Sequence, residues 1–325
     1  MDITADLSDT EWSSFLSQAP DANIFQSPLL ARAFRRARGH RPHVLAALSG
    51  GAVRALLSGV IVSYSKGRVS PMTSRAIVAG GPIGNPTAFP ALLAAHDAVA
   101  AKRALLTQIR NLRPPPDGRP FETAGYRWED HLNFVLDLRA GEEPVLAGMS
   151  KARRKGISRA ERSGLTALEP GLNDVDSFYP LLLGTYERAK VPLADASLFR
   201  SVFEASEGGE WLWSLTALHE GRPCAVRLCL RSGPVVYDWY AGSSDEGRSL
   251  HADEWLVWEV LRRAIRAGCT AFDFQGAGAP GEAYGPGEFK RRFGGAETNP
   301  GRFEKVYRPL TLKVSKIAYE LWRRW

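Results

Sequence analysis

Phe289-Lys290 follows a Gly- and Pro-rich stretch and precedes Arg291-Arg292. Chain of that composition can approach a ligand closely, and Phe289 can stack on an adenine. A second group lies in YDWYAGS, residues 237–243. An acid in an aromatic strand is out of place unless paired or functional. Asp238 can accept an amine proton or hold the amine; equally, it can pair with Arg227 on the neighbouring strand. Strand alternation puts Asp238 and Tyr240 on one face and Tyr237 and Trp239 on the other. Asp273, between Phe272 and Phe274, admits the same two readings. Arg188 can clamp an acceptor's anion or simply complement a helix end. Lys151, Arg153, Arg154, Lys155, Arg159 and Arg162 fall within one short helical stretch. At 3.6 residues per turn they wrap most of its surface and form no single stripe. They suit RNA phosphates or a solvated face. Arg153 shares a face with Ile157 and can turn inward toward a carboxylate.

The elements that must hold these residues follow from pattern and punctuation. Helices are expected from Ser8, capped with Glu11 at capping-box spacing, and over Pro28 to Arg38, ended by Gly39. Strands over His43 to Leu48 and Ala52 to Tyr64 meet at Gly50-Gly51 as a hairpin. Residues 68–84 read as an irregular stretch. In it, GGPIG can cradle an anion or form a plain turn. A helix over Thr87 to Ala101 and strands over Ala104 to Arg110 and Leu132 to Leu138 follow. The second half has one long basic helix over Pro144 to Ser163 and further helices over Val175 to Ala189 and Leu198 to Ala205. A meander comes next, over Leu212 to His219, Cys224 to Arg231 and Val235 to Ala241. A polar loop leads to a helix over Ala252 to Ala267, a strand over Thr270 to Phe274 and a Gly/Pro loop holding Phe289-Lys290. Thr311 to Trp325 is a basic amphipathic helix. The last meander strand connects through a helix to a parallel neighbour. Ligands bind where such strands diverge.

Both halves share the order helices, antiparallel strands, helix, strand. This predicts an α+β chain of two tandem domains, 1–143 and 144–325, each a mostly antiparallel sheet flanked by helices, with one splayed parallel pair as in the N-acetyltransferase (GNAT) fold. The length of 325 residues suits two domains and 44% hydrophobic residues suit a real core. The net charge of +7 suits an anionic partner. Cys224, Cys229 and Cys269 match no zinc spacing and read as core residues. Cys224 and Cys229, five apart in a strand, should face opposite ways. No metal is expected. The polar, acidic beginning and the lack of a long apolar run predict a cytoplasmic protein.

Five segments, in order, resemble blocks of the Fem transferases. They are SKARRKGISRAERSGL (150–165), TYER (185–188), YDWYAGS (237–243), FDF (272–274) and FKRRFGG (289–295). The resemblance is good over about residues 130–300. It is looser in the first half, through FQSP (25–28) and GGP (80–82). It implies two GNAT-like domains and acyl transfer to an amine acceptor: a peptide, a peptidoglycan precursor or a natural-product intermediate. Aminoacyl-tRNA is then the co-substrate and no bound cofactor is needed. On this view Lys290, Asp238 and Tyr240 are catalytic, with Lys290 steadying developing charge or the tRNA terminus. Phe289, Arg291, Arg292, Arg154 and Lys155 bind the donor; Arg188, Tyr237 and Arg153 bind the acceptor. The alternatives are an acetyl- or acyl-CoA N-acyltransferase and a non-catalytic RNA- or precursor-binding module. SSDEGRSL (243–250) has one glycine and two acids. It therefore lacks the amide-rich loop that would cradle a pyrophosphate, which tilts the expectation from CoA toward tRNA. No inserted coiled-coil arm is seen, which leaves room for a small-peptide acceptor.

Overall fold

The computed structural model describes residues 1–63, 73–206, 211–282 and 284–324. The chain forms two compact units, Met1–Asp130 with Pro300–Trp325, and His131–Asn299. In the first, β1 (Asp2–Thr4) leads to α1 (Asp9–Gln18), whose Ser8–Glu11 capping box is made. Ser27 caps α2 (Pro28–Arg36) through the Leu30 amide. β2 (His40–Ser49) and β3 (Ala52–Val62) form the hairpin. Gly50 and Gly51 take φ of +59° and +77°, the left-handed turn that suits strand twist. Tyr64, the expected end of that strand, lies outside the described residues, as do 68–72 of the expected irregular stretch. The remainder of that stretch is ordered as β4 (Arg75–Ala79) and β5 (Ile83–Gly84), both paired to β3. α3 (Phe89–Ala100) crosses to β6 (Leu106–Arg110), parallel to β4; α4 (Arg119–Thr123) and β7 (Arg127–Glu129) follow.

The second unit begins with β8 (Asn133–Asp137). The expected single basic helix is two, α5 (Glu142–Gly148) and α6 (Lys151–Arg162). Met149 turns extended, and the Ser150 side chain caps α6 by accepting from the Arg153 amide. β9 (Thr166–Leu168), α7 (Val175–Arg188) and α8 (Ala196–Ala205) come next. The meander is β10 (Leu212–His219), β11 (Arg222–Ser232) and β12 (Val235–Ser243). The expected polar loop contains α9 (Asp245–Ser249) before α10 (Ala252–Arg266), β13 (Ala271–Gly276), α11 (Gly285–Arg291) and β14 (Ala296–Thr298). The sheet runs β14-β8-β13-β12-β11-β10-β9, with β12 and β13 parallel. One apolar core joins Ile157 of α6, Leu256 and Val260 of α10, Phe272 and Phe274 of β13, and Phe293. All three cysteines are free and buried. A bulge at Cys224 breaks the alternation, so Cys224 and Cys229 share this core rather than opposite faces.

The chain then returns to the first unit through β15 (Arg302–Val306), which lies between β6 and β7, and α12 (Pro309–Arg324). The expected division after residue 143 therefore shifts. β8 pairs with β13 and β14 in the second sheet, and residues 300–325 belong to the first unit. Inside the first unit a polar chain is buried. His43 Nε2 meets His96 Nδ1 at 2.8 Å, and His96 Nε2 meets the Thr107 hydroxyl at 2.9 Å. Thr107 bonds Tyr307 at 2.8 Å, and Asp97 accepts from Tyr307, Tyr126 and Lys305, each at 2.6 Å. Burial pulls His43 down to about 4 and His96 to about 3.

Candidate active site

β12 and β13 pair only from Val235↔Ala271 to Tyr237↔Asp273, and the ladder then stops. β12 continues to Ser243 along β11, with a bulge that sets Cys229 opposite Asp238 and Leu228 opposite Tyr240. Trp239 is the extra residue. The strict alternation expected along this strand therefore fails, and Asp238 and Tyr240 lie on opposite faces. Asp238 faces α10 and pairs with Arg227 at 2.6 Å, the two side chains 11% and 3% exposed. The Tyr240 ring packs on Phe199 of α8 at 5.0 Å and Tyr186 of α7 at 5.8 Å. Tyr237 is buried in register with Asp273.

Lys290 lies on α11, not in an open loop. Its ammonium donates to the carbonyls of Gly276 at 2.7 Å and Gln275 at 3.3 Å, where β13 ends. A lysine has three N–H donors, so one stays without a partner among the described residues. Burial pulls the ammonium down to about 8, against the opposing pull of Asp238 and Asp273. Gln275 has φ of +57°, unusual for a residue with a Cβ, and its buried Nε2 has no partner among the described residues. Asp273 accepts from the Gln275 amide at 2.7 Å and from Asn133 Nδ2 at 2.8 Å; burial raises its carboxyl above the ordinary range. Strained backbone, a lysine and a buried carboxylate thus converge where the parallel ladder ends.

Arg153 does turn inward. It pairs with Glu254 of α10 at 2.7 Å, donates to the Phe289 carbonyl at 3.0 Å, and lies 4.3 Å from both the Phe289 and Phe293 ring centres. Cation–π packing of this kind ties α6, α10 and α11 together beside Lys290. Phe289 is half-buried under that guanidinium. Arg154 folds back onto the Ala147 and Met149 carbonyls at the end of α5. Arg291 pairs with Glu297 and Arg292 with Glu288, both on the surface. Arg188 donates to the Thr185 hydroxyl at 3.0 Å and the Ser243 carbonyl at 2.5 Å, joining α7 to the end of β12. The site thus gathers Lys290, Asp238, Arg153 and Phe289. Tyr240 and Arg188 stand on the α7–α8 side of the sheet.

With Arg153 and Arg154 committed, Lys151, Lys155, Arg159 and Arg162 remain exposed on α6. At about 100° per residue they fall within about 80° of arc. This subset is a stripe, although the six basic residues together are not. Among the described residues Lys151, Lys155 and Arg159 make no ion pair, and Arg162 donates to Ser158 at 2.7 Å. The first turn of α10 holds Asp253 and Glu254. Asp253 accepts from the Ser243 hydroxyl at 2.6 Å, and burial raises its carboxyl. Sequence reasoning did not single out Asp253, Glu254, Gln275 or Asn133. First-turn acids on α10 were a visible signal for the first two. Nothing local marks Gln275 for positive φ or Asn133 for contact with Asp273. Among the described residues no cluster of three or more His, Cys, Asp or Glu could hold a metal ion, and no helix is long and apolar enough to cross a membrane.

Residues 149–291 match a family described as an acetyltransferase (GNAT) domain. No curated protein matches the chain. In three dimensions it is similar to FemX, with a TM-score of 0.71 and 15% identity over 97% of this chain and 100% of that one. It is also similar to the C-terminal domain of a putative lysylphosphatidylglycerol synthetase from Agrobacterium fabrum, with a TM-score of 0.59 and 17% identity over 94% of each chain. A tandem GNAT protein from the clavulanic acid biosynthesis pathway gives a TM-score of 0.58 at 13% identity, over 94% of this chain and 97% of that one. Two mixed sheets flanked by helices and the parallel pair that opens beside Lys290 give the protein a GNAT fold like that of FemX, and the acetyltransferase-domain match spans the region that carries this pair and Lys290.

Proposed function

We propose that the protein transfers an aminoacyl group from aminoacyl-tRNA to an amine acceptor such as a peptide, a peptidoglycan precursor or a natural-product intermediate. The acceptor nitrogen attacks the ester carbonyl and forms the C–N bond. The carbonyl oxygen carries the charge until the C–O bond to the terminal ribose breaks. The amine proton ends on that ribose hydroxyl. Lys290 aims its remaining N–H at the developing charge, the kind of preorganised donor that accelerates acyl transfer most. Asp238, already paired with Arg227, holds the field around Lys290 and is not the base. The observation that carries the choice of donor is the start of α10. Its first turn is filled by Asp253 and Glu254, engaged by Ser243 and Arg153. Carboxylates already occupy the positive end of the helix dipole that a CoA pyrophosphate would need. The exposed stripe on α6 supplies cations at a spacing suited to RNA phosphates. The second reading, transfer from acetyl-CoA, is favoured by the description of the matched family.

The test is a binding titration with charged tRNA and, in parallel, acetyl-CoA at two salt concentrations. Salt-sensitive tRNA binding without a CoA response supports the proposal. Saturable CoA binding without tRNA affinity replaces it with the second reading. The double variant Lys155→Glu, Arg159→Glu should weaken tRNA binding and lower the salt slope by about two. Unchanged affinity would reduce α6 to a solvated face.

A further inference from the structure

Gln275 stands where both ladders of β13 let go. Pairing with β12 stops at Asp273, and pairing with β8 skips from Asp273↔Val135 to Gly276↔Asn133. The backbone of Gln275 is nonetheless held at both ends. Its amide donates to Asp273 at 2.7 Å, and its carbonyl accepts from the Lys290 ammonium at 3.3 Å. This clamp keeps φ at +57°, a conformation that is costly for a residue with a Cβ. Its carboxamide nitrogen is held by nothing. Nε2 is shut from solvent and has no partner among the described residues. A buried donor left unbonded is a cost to the free protein. The first unit shows the same side chain in a purely structural role. Gln26, fully buried, donates to the carbonyls of Ala79 at 2.7 Å and Gly81 at 2.9 Å and accepts from the Ser58 amide at 2.8 Å. Gln275 has no such set of partners, and no bond to Nε2 fixes its last side-chain torsion. That torsion is soft and two-fold, so the carboxamide can turn an N–H toward an incoming oxygen.

We propose that Gln275 is a catalytic residue whose carboxamide gives the acyl carbonyl oxygen a second N–H donor beside the Lys290 ammonium. The inference rests on the acyl-transfer reading of this site, and ester and thioester donors share the oxygen it invokes. Strained backbone, an unbonded donor and the contact with Lys290 meet on this one residue. The attacking nitrogen commits its lone pair to the new C–N bond, so an N–H donor has nothing to offer it. The carbonyl oxygen gains negative charge in the same step, and a donor bonded to it strengthens as that charge grows. A bound carbonyl therefore relieves the unbonded N–H of the free protein and draws most from it in the transition state.

Gln275→Met keeps the length of the side chain without its polar end, so the urea midpoint of the free protein should hold or rise. A lower midpoint would reveal a structural partner for the carboxamide and overturn the proposal. Contact is read from the ¹⁵N resonance of the Gln275 carboxamide, assigned by its absence in Gln275→Met. The full chain is titrated with tRNA aminoacylated through a stable 3′-amide, deacylated tRNA, acetyl-CoA and CoA. A shift with acylated but not deacylated tRNA is expected. A shift with acetyl-CoA but not CoA supports the role of Gln275 and replaces the donor. A donor that binds and leaves the resonance in place overturns the inference while the acyl-transfer reading stands. Binding by neither donor overturns that reading, and the inference with it. In transfer from the bound donor's reactive form to hydroxylamine, Gln275→Met should lower kcat about 10²-fold at unchanged KM. Gln275→Glu, which loses the donor and adds charge, should be slower still. A Gln275→Glu variant faster than Gln275→Met would assign the carboxamide to the acceptor amine and overturn the proposal.

Discussion

Asp238 and Arg227 are both nearly out of solvent, so neither tolerates the loss of the other. Asp238→Asn should cost about 3–5 kcal/mol in urea unfolding, because it leaves a buried guanidinium uncompensated. Replacing both, Arg227→Met with Asp238→Leu, should cost much less. If the two variants lose equal stability, the pair is not the reason the aspartate is there. Lys290 carries a different kind of prediction. Burial lowers its proton affinity, so the ammonium persists below about 8 and is lost above it. After reductive ¹³C-methylation its resonance should titrate near 8, against about 10.4 for an ordinary lysine. Transfer that uses the ammonium should accordingly fall as pH rises through about 8. Lys290→Ala should lower the rate by about 10²–10³ with the fold intact.

Among the elements, β12 does the most positioning, and it does so through backbone proximity. A Cβ on Gly242 would sit 2.5 Å from the Leu181 carbonyl oxygen of α7. That distance leaves no room for a methyl, and neither partner is a flexible side-chain end. Gly242→Ala should therefore cost about 1–3 kcal/mol and shift α7 against the sheet, visible as a lower urea midpoint. The same strand carries the bulge at Trp239, which sends Tyr240 to the α7–α8 side and leaves Asp238 beside α10. The break between α5 and α6 acts likewise. By ending one helix at Met149 and capping the next at Ser150, it turns Arg153 toward Glu254 and leaves the other cations of α6 outside.

For the whole molecule, the first unit depends on chain that arrives last. β15 sits between β6 and β7, so a chain ending at Asn299 leaves both with unpaired ladder groups. Hydrogen exchange should find β7 and the β15-facing amides of β6 unprotected in such a truncation while the 131–299 unit stays protected. The buried histidines add a pH dependence. Well above 6.5 both are neutral in either state, and stability is at its plateau. Below it the unfolded chain takes up protons that His43 refuses until about 4 and His96 until about 3. Stability should fall as pH drops from about 6.5 toward 4, by about 2–4 kcal/mol at pH 5. Urea midpoints that do not change across that window would show that the pair opens to water.

What the amino-acid sequence determined by itself is what short-range forces decide. The Ser8–Glu11 capping box, the Gly50-Gly51 hairpin, the 212–243 meander and the long α10 all rest on residues a few positions apart, and the inward face of Arg153 followed from helical spacing alone. Tandem α+β architecture was readable from the order of these elements, and Lys290 from its place in the resemblance. Tertiary structure decided what depends on register between distant segments. Asn133 reaches Asp273 only because β8 crosses into the second sheet, a pairing with no local signal. The faces of Asp238 and Tyr240 turn on one bulge, which no alternation rule foresees because the extra residue is set by the partner strand. Lys290 acquires its lowered proton affinity from burial against β13, and burial is a property of the assembled core rather than of any stretch of chain.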